Sequence, residues 1–565
     1  LIAAVFALAW SWQSEAAEIS LSANGIAQAV ISLPAQPTPQ ERKSAEELKL
    51  WLGKMTGADF KIAGEAAGPV ISVGKTARFL SECSAENQKD LGNEGYGIAI
   101  KNGSVFLYGG KMRGPLYAVM SLLEDDLGCR WYTPQCTVIP KRPELKINIT
   151  DRSFVPPFEN REAYFFTAVN KDWALHNRAN PEWFKLPPEW GGSIVSPNNS
   201  GWNVHTMFRL LPDDPYFRTN PECFPMRSGQ RVPMKKSDGP QPCLSNPKVT
   251  EIITANALDA MKKNPQANFL SISENDSTHW CECPACMAEL KSGLSRADQM
   301  MRLVNAVAAQ VRPQFTNVTV SALAYLDTYM PPKKIKPDPA LRIQLCTDKH
   351  AFRWPHLAID ETKDFFVALQ AWHKLGVHAY IWDYNVDFKD YLKPRANMEV
   401  VSKNIRLYRD YGVRGVMLQG AYQCPGGADA EMKSWVWTHL LWNPDLDWKT
   451  LQQDFVRGYY GEAAGAMQAY YDLLDASWKK WHSLARRGDD MTFDEDFIAS
   501  AEKLFADAEK AVTNNPALLN RVLLAELPII QLRLLAAGTS SKAVPAAEYP
   551  RYEELLAKFE KIGKN

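Results

Sequence analysis

Between residues 151 and 428, short apolar or β-branched runs that end in polar or aromatic residues alternate with helical stretches. The strand-like runs are 159–166, 174–178, 203–207, 241–245, 269–273, 318–324, 342–346, 379–382 and 415–419. The clearest helical stretches are 247–262, 297–311, 360–375 and 398–411. Strands separated by helices pair in parallel, because a parallel neighbour needs a long crossover connection. Nine runs with interleaved helices point to a (β/α)8 TIM-type barrel, in which catalytic residues stand at the C-terminal ends of the strands. A doubly wound sheet is the competing topology.

The flanking segments have other rhythms. Residues 18–150 read as a small α/β domain. Thr38-Pro39-Gln40-Glu41 is a capping box with proline at the first helical position. Ala45, Leu48, Leu52 and Met55 follow at helical spacing, and Gly57 ends that helix. Lys101-Asn102-Gly103 joins two strand-like runs as a hairpin, and a second helix runs from Pro115 to a stop at Gly128. Residues 429–565 are nearly all helical pattern, with Leu451, Phe455 and Tyr459 on one face. A chain of 565 residues holds roughly three or four domains. Three are expected, over 18–150, 151–428 and 429–565. Residues 1–17, an apolar run followed by Ser14-Glu15-Ala16, are expected to be the tail of a secretory signal peptide. Its ~12 apolar residues are too few to span a bilayer, which takes ~20. A secreted or periplasmic protein is expected, with no membrane span in the mature chain.

Basic and acidic residues balance at 64 each, which argues against nucleic acid as a partner. With 46% hydrophobic and 23% charged residues, the chain is ordinary globular material. The 18 Trp are numerous, and an indole ring serves equally as core filler or as a flat platform for a sugar. Trp202, Trp280, Trp354 and Trp382 lie near expected strand ends.

Carboxylates cluster at those ends as well. Glu274, Asn275 and Asp276 follow the 269–273 run, and in extended backbone Glu274 and Asp276 would share a face. Two close carboxylates push one pKa upward, as a general acid requires, while the plainer reading is a helix cap or a solvated loop. Asp348 follows the 342–346 run and Asp383 the 379–382 run. Glycoside hydrolysis needs such a pair, ~5 Å apart for retention or ~6.5–9.5 Å for inversion. Arg161, His205, Asn275, Tyr325, Trp382, Tyr384 and Gln419 are candidates for holding hydroxyls, rings or an acidic substituent, and each has a structural reading beside the functional one.

Cys281, Cys283 and Cys286, with His279 close by, offer four soft ligands within eight residues, as zinc would take. Zinc sites usually draw on two separated pairs, and no second C-x-x-C exists. A local disulfide with one remaining thiol, or simple packing, is therefore taken over a structural zinc, and no cofactor is required. No dinucleotide fingerprint, P-loop, H-E-x-x-H or G-x-S-x-G motif is present, so those chemistries lose their usual support.

The segments Ala45–Leu48, Met55–Gly57, Gly114–Tyr117 and 127–134 resemble the N-terminal domain shared by bacterial α-glucuronidases and hexosaminidase-like glycosidases. Ser273–Asp276, Cys281–Cys286 and Trp382–Tyr384 resemble, more narrowly, the exported bacterial family called domain of unknown function 4838. The likeness runs from about residue 20 to residue 475. It implies a catalytic (β/α)8 barrel, with Glu274 at the position of the α-glucuronidase general acid and Asp348 and Asp383 at the base positions. Hexosaminidase-like relatives carry a pair of adjacent acids after the fourth strand, where this chain has Glu-Asn-Asp. The expectation is a secreted glycoside hydrolase acting on a poly- or oligosaccharide that bears a uronic acid or amino sugar. A non-catalytic carbohydrate-binding protein and a metal-dependent hydrolase or lyase using the cysteines are the alternatives.

Overall fold

Thr38 accepts a hydrogen bond from the backbone N–H of Glu41, whose carboxylate returns one to the Thr38 N–H, and the helix Pro39–Thr56 begins there. It ends at Gly57, whose φ of 79° is left-handed and favours glycine. Ala45, Leu48, Leu52 and Met55 are all buried along one face. The computed structural model describes residues 18–197, 202–347, 364–424, 426–484 and 492–539, with scattered positions between 550 and 561. The expected signal segment lies outside the described residues.

The chain divides into two compact units. The first comprises residues up to Arg130, Thr137–Pro156 and Pro187–Gly192. Its main sheet has six strands in the order Arg152–Phe154, Tyr96–Lys101, Ser104–Gly109, Val70–Val73, Val30–Ser32, Ile62–Ala63. The first three are antiparallel and the rest join in parallel. The expected hairpin forms at Asn102 and Gly103, both with positive φ. The helix Gly114–Ser121 packs on this hairpin and continues as a single π-turn, Leu122–Asp126, before Gly128.

The second unit comprises Trp131–Cys136, Pro157–Leu186 and Ser193 onward. It is a mixed α/β unit built on a six-stranded, wholly parallel sheet. The order is Asn160–Tyr164, Gly415–Gln419, His378–Tyr384, Arg342–Cys346, Thr319–Ala324, Phe269–Ser271. Helices Pro247–Lys263, Arg296–Val311, Asp364–Lys374 and Met398–Asp410 run between strands. Met398, Val401, Ile405 and Tyr408 recur every three or four residues and are buried, which is why the last of these is a helix. Further helices follow from Ala430–Trp442 to Pro516–Thr539. No described helix is long and apolar enough to cross a membrane.

Three expected strands are not strands. Residues 174–178 fall in and after the helix Lys171–His176, which Asn170 caps. Residues 203–207 and 241–245 are irregular. Their backbone bonds are scattered and form no ladder: the N–H groups of Thr206 and Met207 both donate to the Ser273 carbonyl, that of Gln241 to His279 and that of Cys243 to Cys223.

Candidate functional site

The two faces of the parallel sheet differ chemically. Ile343, Leu345, Ala379, Ile381, Val416 and Leu418 point into the core with helix residues such as Leu369 and Ile405. The alternating positions are polar and aromatic. Arg342 donates to both carboxylate oxygens of Glu182 at 2.6 and 2.8 Å, and its guanidinium lies 3.9 Å from the ring centre of Tyr380. Nearer the C-terminal ends, the Trp382 indole N–H donates to Gln419 Oε1 at 2.6 Å. Glu162, on this same face of its strand, accepts from the backbone N–H groups of Glu182 and Trp183 at 3.0 and 3.4 Å. Burial pushes its carboxyl up to about 8, against the pull of those two donors.

Glu274 follows the edge strand Phe269–Ser271 and is 1% exposed. The Thr328 hydroxyl donates to its Oε1. Its Oε2 has no hydrogen-bond partner among the described residues. Burial pushes this carboxyl up to about 7; the Thr328 bond opposes the rise and the charge of Asp327 adds to it. The expected cause was a carboxylate pair with Asp276. The chain has left strand geometry by this point, so the two side chains do not share an environment. Asp276 is exposed and accepts from the Tyr325 hydroxyl at 3.0 Å. Tyr325 and Thr328 belong to one turn, so that turn reaches both acids. His205, held at a left-handed φ of 54°, places Nδ1 2.9 Å from the Glu274 carbonyl, and its ring centre is 6.0 Å from that of Tyr325. Asn275 is buried and fully engaged: its side chain meets the Phe208 N–H and the Pro240 carbonyl, and its backbone meets Gln241.

Asp383 stands apart from this group. It shares its strand face with Ala379 and Ile381 and so points toward the helices. Tyr408, on the helix Met398–Asp410, donates to its Oδ2 at 2.8 Å, and Thr347 donates to its Oδ1 at 2.9 Å. Burial pushes the Asp383 carboxyl up to about 6, with both donors opposing. Arg161 is likewise committed to the fold, donating to the carbonyls of Arg178 at 3.0 Å and of Phe158 at 2.5 Å. Asp348 and Trp354 lie outside the described residues.

An aromatic group occupies the C-terminal ends of the later strands. The rings of Trp382 and Tyr384 stack with centres 5.9 Å apart, and Trp183 meets Trp382 edge-on at 5.6 Å. Tyr164 stacks between Trp183 at 5.5 Å and Tyr422 at 4.6 Å. All five are half-buried. Trp202 and Trp280 are instead buried, and Trp280 donates to Asp327 at 2.8 Å. Sequence reasoning passed over Glu162 and Trp183. Alternation within 159–166 would have put Glu162 on the face of Tyr164, whereas nothing in the sequence marks Trp183.

In the cysteine loop, Cys281, Cys283 and Cys286 are buried and joined by no disulfide, and the fourth member of their group is Cys243, where His279 was expected. Cys243 lies 38 residues upstream of Cys281, and the tertiary fold alone brings it there.

A family described as domain of unknown function (DUF4838) matches residues 131–472. No curated protein matches the chain. Among solved structures, a family GH115 4-O-methyl-alpha-glucuronidase with specificity for decorated arabinogalactans is similar, with a TM-score of 0.61 and 12% identity. The match covers 97% of this chain and 76% of that one. The structure of CpGH84B is similar with a TM-score of 0.49 and 11% identity, over 97% of this chain and 94% of that one. At 12% identity the likeness to the GH115 enzyme is one of fold.

Proposed function

The chain belongs to the DUF4838 family, and from that premise we propose that it is a glycoside hydrolase with Glu274 as its general acid. One observation carries the reading: a buried carboxyl at the end of a parallel strand, with one oxygen held by Thr328 and the other unpartnered among the described residues. Such a group keeps its proton near neutral pH and can present it to a leaving oxygen. The GH115 enzyme, similar in fold, supports the same class of reaction.

In this reading the parallel sheet is the larger part of a (β/α)8 barrel spanning 151–428, between an N-terminal domain at 18–150 and helices from 429. The irregular 203–207 segment takes the place of the third strand, since Thr206 and Met207 donate to the Ser273 carbonyl beside the fourth. Asn180 forms an isolated antiparallel bridge with Arg161 beside the first strand. The six strands then border one mouth, with Glu274 buried at the end of its edge strand.

Both oxygens of Asp383 are engaged, so the base or nucleophile is assigned to Asp348, directly after Thr347. The rings of Trp382 and Tyr384, with Trp183 beside them, supply a platform for a sugar. Arg161 and Arg342 are both bound within the fold, which gives no support to either as a receptor for a uronic carboxylate. The apolar run at the start of the chain makes export part of the proposal.

The test is hydrolysis of an oligosaccharide panel that includes 4-O-methylglucuronosyl-decorated arabinogalactan and hexosamine-containing substrates. Wild type should cleave a member, and Glu274→Gln and Asp348→Asn should each lose the activity. A Glu274→Gln protein that retains the full rate removes the assignment. The commitment of Asp383 to Tyr408 and Thr347 favours one second reading, a carbohydrate-binding protein without catalysis. Calorimetric binding with no turnover selects it.

A further inference from the structure

We propose that Cys243, Cys281, Cys283 and Cys286 bind one zinc ion as a closed structural site. All four are buried, and their sulfur atoms lie within 4.8 Å of one another. Cys243 Sγ is 3.5 Å from Cys283 Sγ and 3.8 Å from Cys286 Sγ. Tetrahedral zinc with Zn–S bonds of about 2.3 Å sets its sulfurs roughly 3.8 Å apart. A disulfide needs about 2.05 Å. One sulfur that approaches two others at nearly the tetrahedral edge length matches coordination and not a bonded pair. Four soft thiolates in this arrangement select zinc over oxygen-seeking cations.

The surroundings suit thiolates rather than neutral thiols. The Met226 N–H donates to Cys281 Sγ at 3.3 Å, and the Cys286 N–H to Cys283 Sγ at 3.5 Å. The Arg231 guanidinium reaches Cys281 Sγ at 3.6 Å, and the Ser245 hydroxyl lies 3.1 Å from Cys286 Sγ. Donors and a cation directed at sulfur are what an anionic tetrathiolate centre requires of its outer shell. They come from the hairpin Met226–Arg227 and Gln230–Arg231, from the loop before the helix Pro247–Lys263, and from the helix Pro284–Lys291 that Cys283 caps.

Four protein ligands fill the coordination sphere, so no position remains for water or substrate. The ion would therefore be a staple, which leaves a metal-dependent hydrolase without its open site. Its place gives the staple a task. Gln241, two residues before Cys243, clamps Asn275 from both sides, accepting its N–H at 2.9 Å and donating to its carbonyl at 2.7 Å. Joining Cys243 to the 281–286 loop fixes that clamp behind Glu274. The metal site stands whether or not Glu274 is catalytic.

The full chain, purified without chelator, should contain one zinc per molecule by elemental mass spectrometry. Cys243→Ser should lower this at least tenfold, while Cys83→Ser, altered at a buried cysteine in the other unit, should keep it. If Cys243→Ser fails to fold, cobalt exchange into wild type gives the second readout: the intense visible bands and the sulfur-to-cobalt charge transfer of tetrahedral thiolate ligation. A wild-type protein free of stoichiometric metal, one carrying iron, or a peptide map that shows a disulfide within the four overturns the proposal.

Discussion

The Thr328 hydroxyl holds one oxygen of the Glu274 carboxyl and leaves the other without a partner among the described residues. The pair is built from two strand ends, Glu274 after Phe269–Ser271 and Thr328 in the turn after Thr319–Ala324. A carboxyl so placed is pinned in orientation yet keeps an oxygen with which to donate.

The pH dependence follows. Glu274 ionises near 7, so a reaction that needs its proton should slow as pH rises through about 7. Stability has the same sign. The folded pKa lies above the ordinary carboxyl value, so between about 4.5 and 7 the native state binds more protons than the unfolded chain, and raising pH destabilises it. The cost at high pH is on the order of 3 kcal/mol. Glu274→Gln should therefore melt higher than wild type at pH 8, and the difference should shrink at pH 5. A constant difference across that range argues against the ionisation.

Thr328→Val removes a hydrogen bond that lowers the Glu274 pKa. The alkaline limb of the rate profile should move to higher pH. An unmoved limb alongside an intact fold would detach Thr328 from the acid.

Tyr408→Phe strips a donor from buried Asp383. Leaving such an acceptor unmet costs about 1–3 kcal/mol, to be read from urea unfolding. The lost bond also lets the Asp383 pKa rise above about 6, so the deficit should be greater at pH 8 than at pH 5. If Asp383 is structural, as its two donors argue, kcat changes little.

Glu182→Gln should destabilise by about 3–5 kcal/mol, since it leaves the Arg342 guanidinium, 1% exposed, without its counter-charge. Thermal unfolding checks this, and an unchanged midpoint would show that the Tyr380 ring and the Gln344 amide oxygen, which accepts from Arg342 at 3.2 Å, suffice for Arg342.

Trp382→Ala should weaken sugar binding about tenfold, or about 1.4 kcal/mol, through loss of the ring face. Titration calorimetry reads it. An unaltered affinity moves the platform elsewhere among the aromatic residues.

Much of the local structure was legible. The capping box at Thr38 and the Asn102-Gly103 hairpin depend on neighbours within a few residues, and the six strands of the parallel sheet were marked by their apolar runs. The misread segments lack a ladder that alternation alone cannot reveal as missing. At 174–178 the Asn170 cap starts a helix, and at 203–207 and 241–245 the backbone N–H groups go singly to Ser273, His279 and Cys223. Within the site, Glu274 was legible as an acid at a strand end, but the source of its raised pKa was not.

The sequence by itself determined the strand–helix rhythm, the absence of nucleotide and serine-hydrolase motifs, and the short list of acids from which the candidate site is drawn. Those are properties of residue type and spacing. Tertiary structure alone decided that Asp383 faces Tyr408, that Arg161 is bound to carbonyls, and that Cys243 joins a loop 38 residues away. Charge, burial and coordination depend on which groups meet across strands and loops, and those meetings are set by packing rather than by the local chain.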